Sequence, residues 1–146
     1  MDFDITEIIP NLYIGGRANA SQIDKDDKDW MLINVTEQCI PEREKPRHYF
    51  YDMPILRTDS DGAVFTTRAR LETVRSAIDV GLRNGCKVLV FCGAGIERSP
   101  LAVAWYMHRR LPLTVDEAFD WIAKKRPSVH RRTHWLRKYD LNTRGR

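Results

Sequence analysis

The sequence predicts an α/β fold, a three-layer domain whose central sheet is mostly parallel and flanked by helices. Strand-like and helix-like segments alternate along the chain, the order that yields a parallel sheet with helices packed on it. Lys87 to Phe91 (KVLVF) is a continuous apolar, β-branched run, the pattern of a strand buried on both faces. Between Thr67 and Leu82, the apolar residues Leu71, Val74, Ala77, Ile78 and Leu82 recur at three and four, one face of an amphipathic helix.

The remaining elements follow in order. Ile5 to Ile9 and Leu12 to Ile14 read as two short strands parted by the Pro10-Asn11 turn pair, with Gly15-Gly16 ending the second. The charge run Asp24 to Asp29 reads as the exposed side of a short helix or loop, ahead of a strand from Met31 to Val35. Residues 41–48 hold two prolines and no periodic face, and so read as loop. Tyr49 to Met53 alternates and predicts the next strand, ended by Pro54. Asn84-Gly85 stops the amphipathic helix. Pro100 to Arg110 is mostly apolar and predicts a buried helix. Thr114 and Glu117 form a capping box that opens a helix to about Lys125, before Pro127. Thr133 to Leu141 reads as a shorter basic helix.

With 146 residues, 42% of them apolar, the chain is long enough for one domain with a real core, spanning residues 1–146 with its core at about 5–141. No repeat, low-complexity tract or long linker divides it. Charged residues at 30% and aromatics at 10% exclude a disordered chain. The longest apolar run, Pro100 to Met107, falls far short of the roughly 20 residues of a membrane span. The N-terminus opens acidic, without a secretory signal, so a cytoplasmic protein with no membrane association is expected. Three cysteines without a CxxC suggest neither a disulfide framework nor a cysteine zinc site. Cys39 and Cys86 are expected to be buried structural thiols; a whole strand keeps Cys86 from reaching Cys92. The net charge of +4 allows an anionic partner, although a solvated basic surface explains it as simply.

The segment Cys92-Gly93-Ala94-Gly95-Ile96-Glu97-Arg98-Ser99 carries the chemistry. A buried strand ends, the chain turns through small residues, and a helix begins. Glycines at 93 and 95 allow backbone angles that other residues resist. Successive amides can then face inward as an anion nest, with the positive end of the helix on the same spot. Arg98 can grip two oxygens of a phosphate through its fork. Cys92 lies at the mouth, where amides, dipole and arginine all favour thiolate over thiol. A thiolate at the bottom of a phosphate cradle is a nucleophile aimed at phosphorus.

In this C-x5-R-S loop the sequence resembles the cysteine-dependent protein tyrosine phosphatase superfamily, and within it the small, atypical dual-specificity phosphatases. The resemblance runs over about residues 5–141. Ile8 to Gly15 looks like the family's opening hairpin, Ile33 to Thr36 like its next strand, and Leu101 to Met107 like the helix behind the loop. Glu117-Ala118 through Arg126-Pro127-Ser128-Val129 is similar to the helix and turn that follow. The low-molecular-weight phosphatases carry the same motif close to the N-terminus, which position 92 argues against.

The resemblance implies that Cys92 attacks phosphorus and forms a cysteinyl-phosphate. Arg98 and the amides of Gly93, Ala94, Gly95, Ile96, Glu97 and Arg98 hold the phosphate oxygens. Ser99 hydrogen-bonds the sulfur and helps it leave, or serves as a plain helix N-cap, or both. The leaving oxygen needs a proton, which the family takes from an aspartic acid upstream of the cysteine. Asp59 is preferred here for its spacing, with Asp61, followed by Gly62, kept open; either also reads as a turn aspartate. No cofactor and no metal are implied. Phe91 stands where the family usually has histidine, so a less depressed Cys92 pKa and weaker activity near neutral pH are expected. Glu97 opposes phosphate unless its side chain points outward.

The predicted substrates are phosphotyrosine and phosphoserine/threonine of proteins or peptides. An RNA 5′-triphosphatase, permitted by the basic end (Arg131, Arg132, Arg137, Lys138, Arg144, Arg146), and a phosphate-binding pseudophosphatase are the alternatives. His130 and His134 stand four apart without a third ligand and read as surface histidines. Where small family members often have an asparagine that braces the loop, Thr133 is the nearest residue.

Overall fold

The KVLVF run lies at the centre of the molecule. In a computed structural model, which describes residues 4–24, 27–41 and 49–136, the chain runs β1 (Ile5–Ile9), β2 (Leu12–Gly16), α1 (Arg17–Ala20), β3 (Trp30–Asn34) and β4 (Phe50–Asp52). It continues through β5 (Leu56–Thr58), β6 (Val64–Thr66), α2 (Arg68–Arg83), β7 (Lys87–Cys92), α3 (Arg98–Arg110) and α4 (Val115–Lys125) to a 3-10 turn, Thr133–Trp135. The five-stranded sheet has the order β1-β2-β7-β3-β4, and β5 and β6 pair separately. In the five-stranded sheet β7 is parallel to β2 and β3, β3 is parallel to β4, and β1 is antiparallel to β2; β5 and β6 also pair antiparallel. The expected mostly parallel α/β sheet is what forms.

Alternation along β7 divides its side chains between two cores. Val88, Val90 and Cys92 join Leu71, Val74, Ile78, Leu101, Trp105, Phe119 and Ile122 beneath α2, α3 and α4. Leu89 and Phe91 face the other way and pack with Ala20, Ile23 and Leu32. Of the stripe read from the sequence, Leu71, Val74 and Ile78 are fully buried, each contributing about 1.5–3 kcal/mol, and Ala77 and Leu82 are partly buried against the same core. The capping box is realised: Thr114 Oγ1 accepts from the Glu117 amide (3.1 Å), and Glu117 Oε1 accepts from the Thr114 amide (2.8 Å). Thr67 caps α2 by accepting from the Arg70 amide (3.2 Å).

A polar seam joins α2 to α3. Glu72 Oε2 accepts from Trp105 Nε1 (2.7 Å) and Arg75 Nε (3.0 Å), and Asp79 accepts from Arg75 and Arg110. Burial pushes both carboxyls up, but these donors outweigh it and hold Glu72 and Asp79 below their ordinary values. Burial beside Asp79 pushes the Tyr106 hydroxyl up to about 12.

Several expectations need correction. α1 and the β5–β6 hairpin are additional elements, each too short to leave a periodic signal. α3 begins at Arg98 rather than Pro100. Cys39 is exposed, on the loop after β3, while Cys86 is buried as expected. Of the basic segment 133–141, Thr133–Trp135 form a single 3-10 turn and residues 137–141 lie outside the described residues. Residues 25–26 of the charge run and 42–48 of the expected loop also lie outside them. Among the described residues, no helix is long and apolar enough to cross a membrane.

Candidate active site

The site forms where β7 hands over to α3. Cys92 is the last residue of β7 and only 2% exposed, so the strand fixes its position. The loop that follows packs against the end of β2. Gly95 has φ +70, and a Cβ there would lie 2.7 Å from the Gly15 carbonyl carbon and 2.9 Å from Arg126 Nη2. Left-handed backbone in so tight a space admits only glycine. Gly93, expected to need the same freedom, has no positive φ and open space around it. Gly16 also approaches closely, its virtual Cβ 3.0 Å from the Gly93 oxygen.

Donors converge on the sulfur. Ser99 is fully buried in the first turn of α3, with Oγ 3.2 Å from Cys92 Sγ. The N-cap of α3 is Glu97, so the N-cap reading of Ser99 falls and its contact with the thiol stands. Burial pushes the Cys92 thiol up. The Ser99 hydroxyl and the backbone amides of Ser99, Glu97 and Gly95 outweigh it and hold the thiol below its ordinary value. Phe91 lies on the opposite face of the sheet, packed 6.1 Å ring to ring from Phe50, and gives the sulfur no polar contact. The depression is therefore the work of the loop and Ser99.

A strap from the end of α4 braces the loop from behind. Arg126, 4% exposed, donates from Nε to the Gly95 oxygen (2.9 Å) and from Nη2 to the Ala94 oxygen (3.2 Å). Its Nη1 reaches Asp4 and Thr6 Oγ1, each at 2.9 Å. Holding these loop carbonyls outward leaves the amides of the same peptides to face inward. The His130 amide donates to the Ile96 oxygen (2.8 Å), and Arg132 Nε donates to Glu97 Oε2 (2.6 Å). Glu97 is thus turned towards a cation of the strap, which offsets its charge beside the cradle. The loop is braced by Arg126, His130 and Arg132, while Thr133, nearest the position of the family's asparagine, opens the 3-10 turn.

The resulting pocket, about 240 Å³, is lined by Cys92, Gly93, Ala94, Ile96, Glu97, Arg98 and His130. Arg98 points to Glu37, with Nε donating to Oε2 (3.0 Å) and Nη2 to Oε1 (2.9 Å). Asp59 and Asp61 sit on the β5–β6 hairpin, outside that lining. Asp59 Oδ1 accepts from the amides of Asp61 (2.9 Å) and Ala63 (3.0 Å), so Asp59 is also the turn aspartate anticipated from its sequence. Arg131 pairs with Asp120 and Arg132 with Glu97, so their charge is met locally. Arg137, Lys138, Arg144 and Arg146 lie outside the described residues. Among the described residues, no three His, Cys, Asp or Glu side chains could hold a metal ion.

Residues 12–141 match the model of the dual specificity phosphatase catalytic domain. The chain belongs to that family. It is 30% identical over 125 residues to human dual specificity protein phosphatase 1, covering 84% of this chain and 33% of that protein. It is 26% identical over 126 residues to human dual specificity protein phosphatase 16, covering 85% of this chain and 18% of that one. The chain therefore spans a third or less of these two relatives. Among solved structures, human DUSP28 superposes with a TM-score of 0.70 at 22% identity, covering 90% of this chain and 86% of that one. The PTP-2 phosphatase of Cydia pomonella gives 0.72 at 19% identity, covering 96% and 88%. These neighbours share the dual-specificity phosphatase fold.

Proposed function

We propose that this domain hydrolyses phosphotyrosine and phosphoserine/threonine monoesters in proteins through a cysteinyl-phosphate, as a cytoplasmic enzyme. The observation that carries the reading is the ring of donors from Ser99, Glu97 and Gly95 on one buried sulfur. Cys92 Sγ attacks phosphorus as thiolate, and the bond from phosphorus to the ester oxygen breaks. Arg98 and the loop amides hold the three equatorial oxygens as charge shifts onto them. The departing oxygen takes a proton from Asp59, whose position the two turn amides on Oδ1 fix. Water then attacks phosphorus and gives its proton to the Asp59 carboxylate left by the first step, the S–P bond breaks, and the thiolate returns to the Ser99 hydroxyl as phosphate leaves.

The family match favours phosphoproteins over triphosphorylated RNA, and the donor ring on Cys92 favours turnover over mere binding. Comparing phosphate release from a phosphotyrosine peptide, a phosphothreonine peptide and triphosphorylated RNA tests the substrate class. Turnover of the RNA alone would overturn it. Asp59→Ala should slow alkyl phosphates at least tenfold more than p-nitrophenyl phosphate, whose leaving group needs little help from an acid. The same selectivity in Asp61→Ala, and not in Asp59→Ala, would move the role to Asp61.

A further inference from the structure

Arg98 carries the side-chain fork expected to grip phosphate, and that fork is already engaged. Its Nε and Nη2 each donate to one oxygen of Glu37, at 3.0 and 2.9 Å, across 61 residues of sequence. A planar carboxylate joined by two parallel N–H···O bonds satisfies the edge of the guanidinium that would otherwise face two phosphate oxygens.

The loop that presents Glu37 is built for the purpose. Asn34, fully buried at the end of β3, accepts at Oδ1 from the Thr36 amide (3.0 Å) and the Thr36 hydroxyl (2.7 Å). Its Nδ2 donates to the Gln38 carbonyl (2.9 Å) and to Asp52 Oδ1 (2.8 Å). The residues on both sides of Glu37 are therefore tied to one buried amide, and Glu37 between them extends to Arg98. Gln38 is met in turn by Arg17 Nη1 (3.4 Å), from the short helix whose first amide donates to the Gly93 oxygen of the catalytic loop (3.1 Å).

We propose that Glu37 is a positioning residue that stands in for phosphate on Arg98, so that substrate takes the arginine from an internal carboxylate and Glu37 sets the anion affinity of the site. This rests on the reading that the Cys92 loop binds phosphate. The pair is suited to exchange because it is partly in water, with the Arg98 and Glu37 side chains 30% and 46% exposed. Solvent screens so exposed a contact and makes it weak. A phosphate dianion brings two charges and also meets the loop amides, which Glu37 does not touch. It therefore wins the guanidinium, while a singly charged anion that matches Glu37 only in charge does not. When the site empties, Glu37 holds Arg98 over the loop.

The test is calorimetric titration of inorganic phosphate into the full chain, its Glu37→Gln variant and its Glu37→Ala variant. Both variants should bind phosphate more tightly, by roughly three- to tenfold, the worth of an exposed bidentate pair. The KM for p-nitrophenyl phosphate should fall by a similar factor while kcat changes less, because a competitor lost equally from ground and transition states acts on binding alone. A residue that merely supported the loop would weaken binding and lower kcat when replaced. Unchanged or weaker phosphate binding in the two variants overturns the role given to Glu37. If the unaltered chain binds no phosphate at all, the reading of the loop falls, and this inference with it.

Discussion

At the scale of single residues, the proposed chemistry turns on Cys92 and Ser99. Burial alone pushes the thiol up, and the structure reverses that with one hydroxyl and three amides. Ser99→Ala removes the only side chain among those donors, so the Cys92 pKa rises and less thiolate is present at neutral pH. The measurement is the rate of iodoacetamide alkylation against pH: its rising limb should move to higher pH in the variant. Breakdown of the phosphoenzyme should also slow by roughly tenfold or more, the value of one hydrogen bond to a charged group. An unmoved limb would mean that the amides alone set the thiolate. Phe91 bears on the same point. Its ring is buried in the second core, on the face of the sheet away from the sulfur, and the donors of the loop are in place regardless.

Among elements, the junction from β7 to α3 matters most, and its tightest point is Gly95. Gly95→Ala would place a Cβ 2.7 Å from Gly15 and force a non-glycine residue to φ +70. Strained backbone of this kind costs about 1–3 kcal/mol, and relief would move the loop away from β2. A lower melting temperature together with lost phosphate binding is expected, whereas Gly93→Ala, with open space around it, should show neither. Equal damage from both would contradict this packing. These elements also show what the sequence could reveal. β7, α2 and α4 were legible because a continuous apolar run, a three-and-four stripe and a capping box are local patterns. The Cys92–Ser99 loop was legible because its residue types stand at fixed spacing. The four-residue α1 and three-residue β5 and β6 fall below the window in which periodicity can be seen. Glu37 and Arg126 were invisible for another reason: their partners lie 61 and up to 122 residues away, a distance only the fold closes.

Across the whole molecule, stability and function meet in α3, which starts at the loop and is held to α2 by the polar seam. Glu72 and Asp79 are held below their ordinary values of 4.5 and 3.8, so they bind protons less readily folded than unfolded. Their contribution is complete above those ordinary values and is lost as pH falls through the depressed ones. The melting temperature should therefore hold from neutral pH down to about 5 and drop below 4, with a shallower drop in Asp79→Asn. An identical acid profile in that variant would remove the seam from the account. The account as a whole rests on covalent catalysis by Cys92, and rapid acid quench of turnover on p-nitrophenyl phosphate tests it most directly. Intact-mass analysis should find one phosphoryl group on Cys92 in the unaltered chain and none in Cys92→Ser, which should not turn over. Turnover that persists in Cys92→Ser, or proceeds in the unaltered chain with phosphate on another residue, would contradict it.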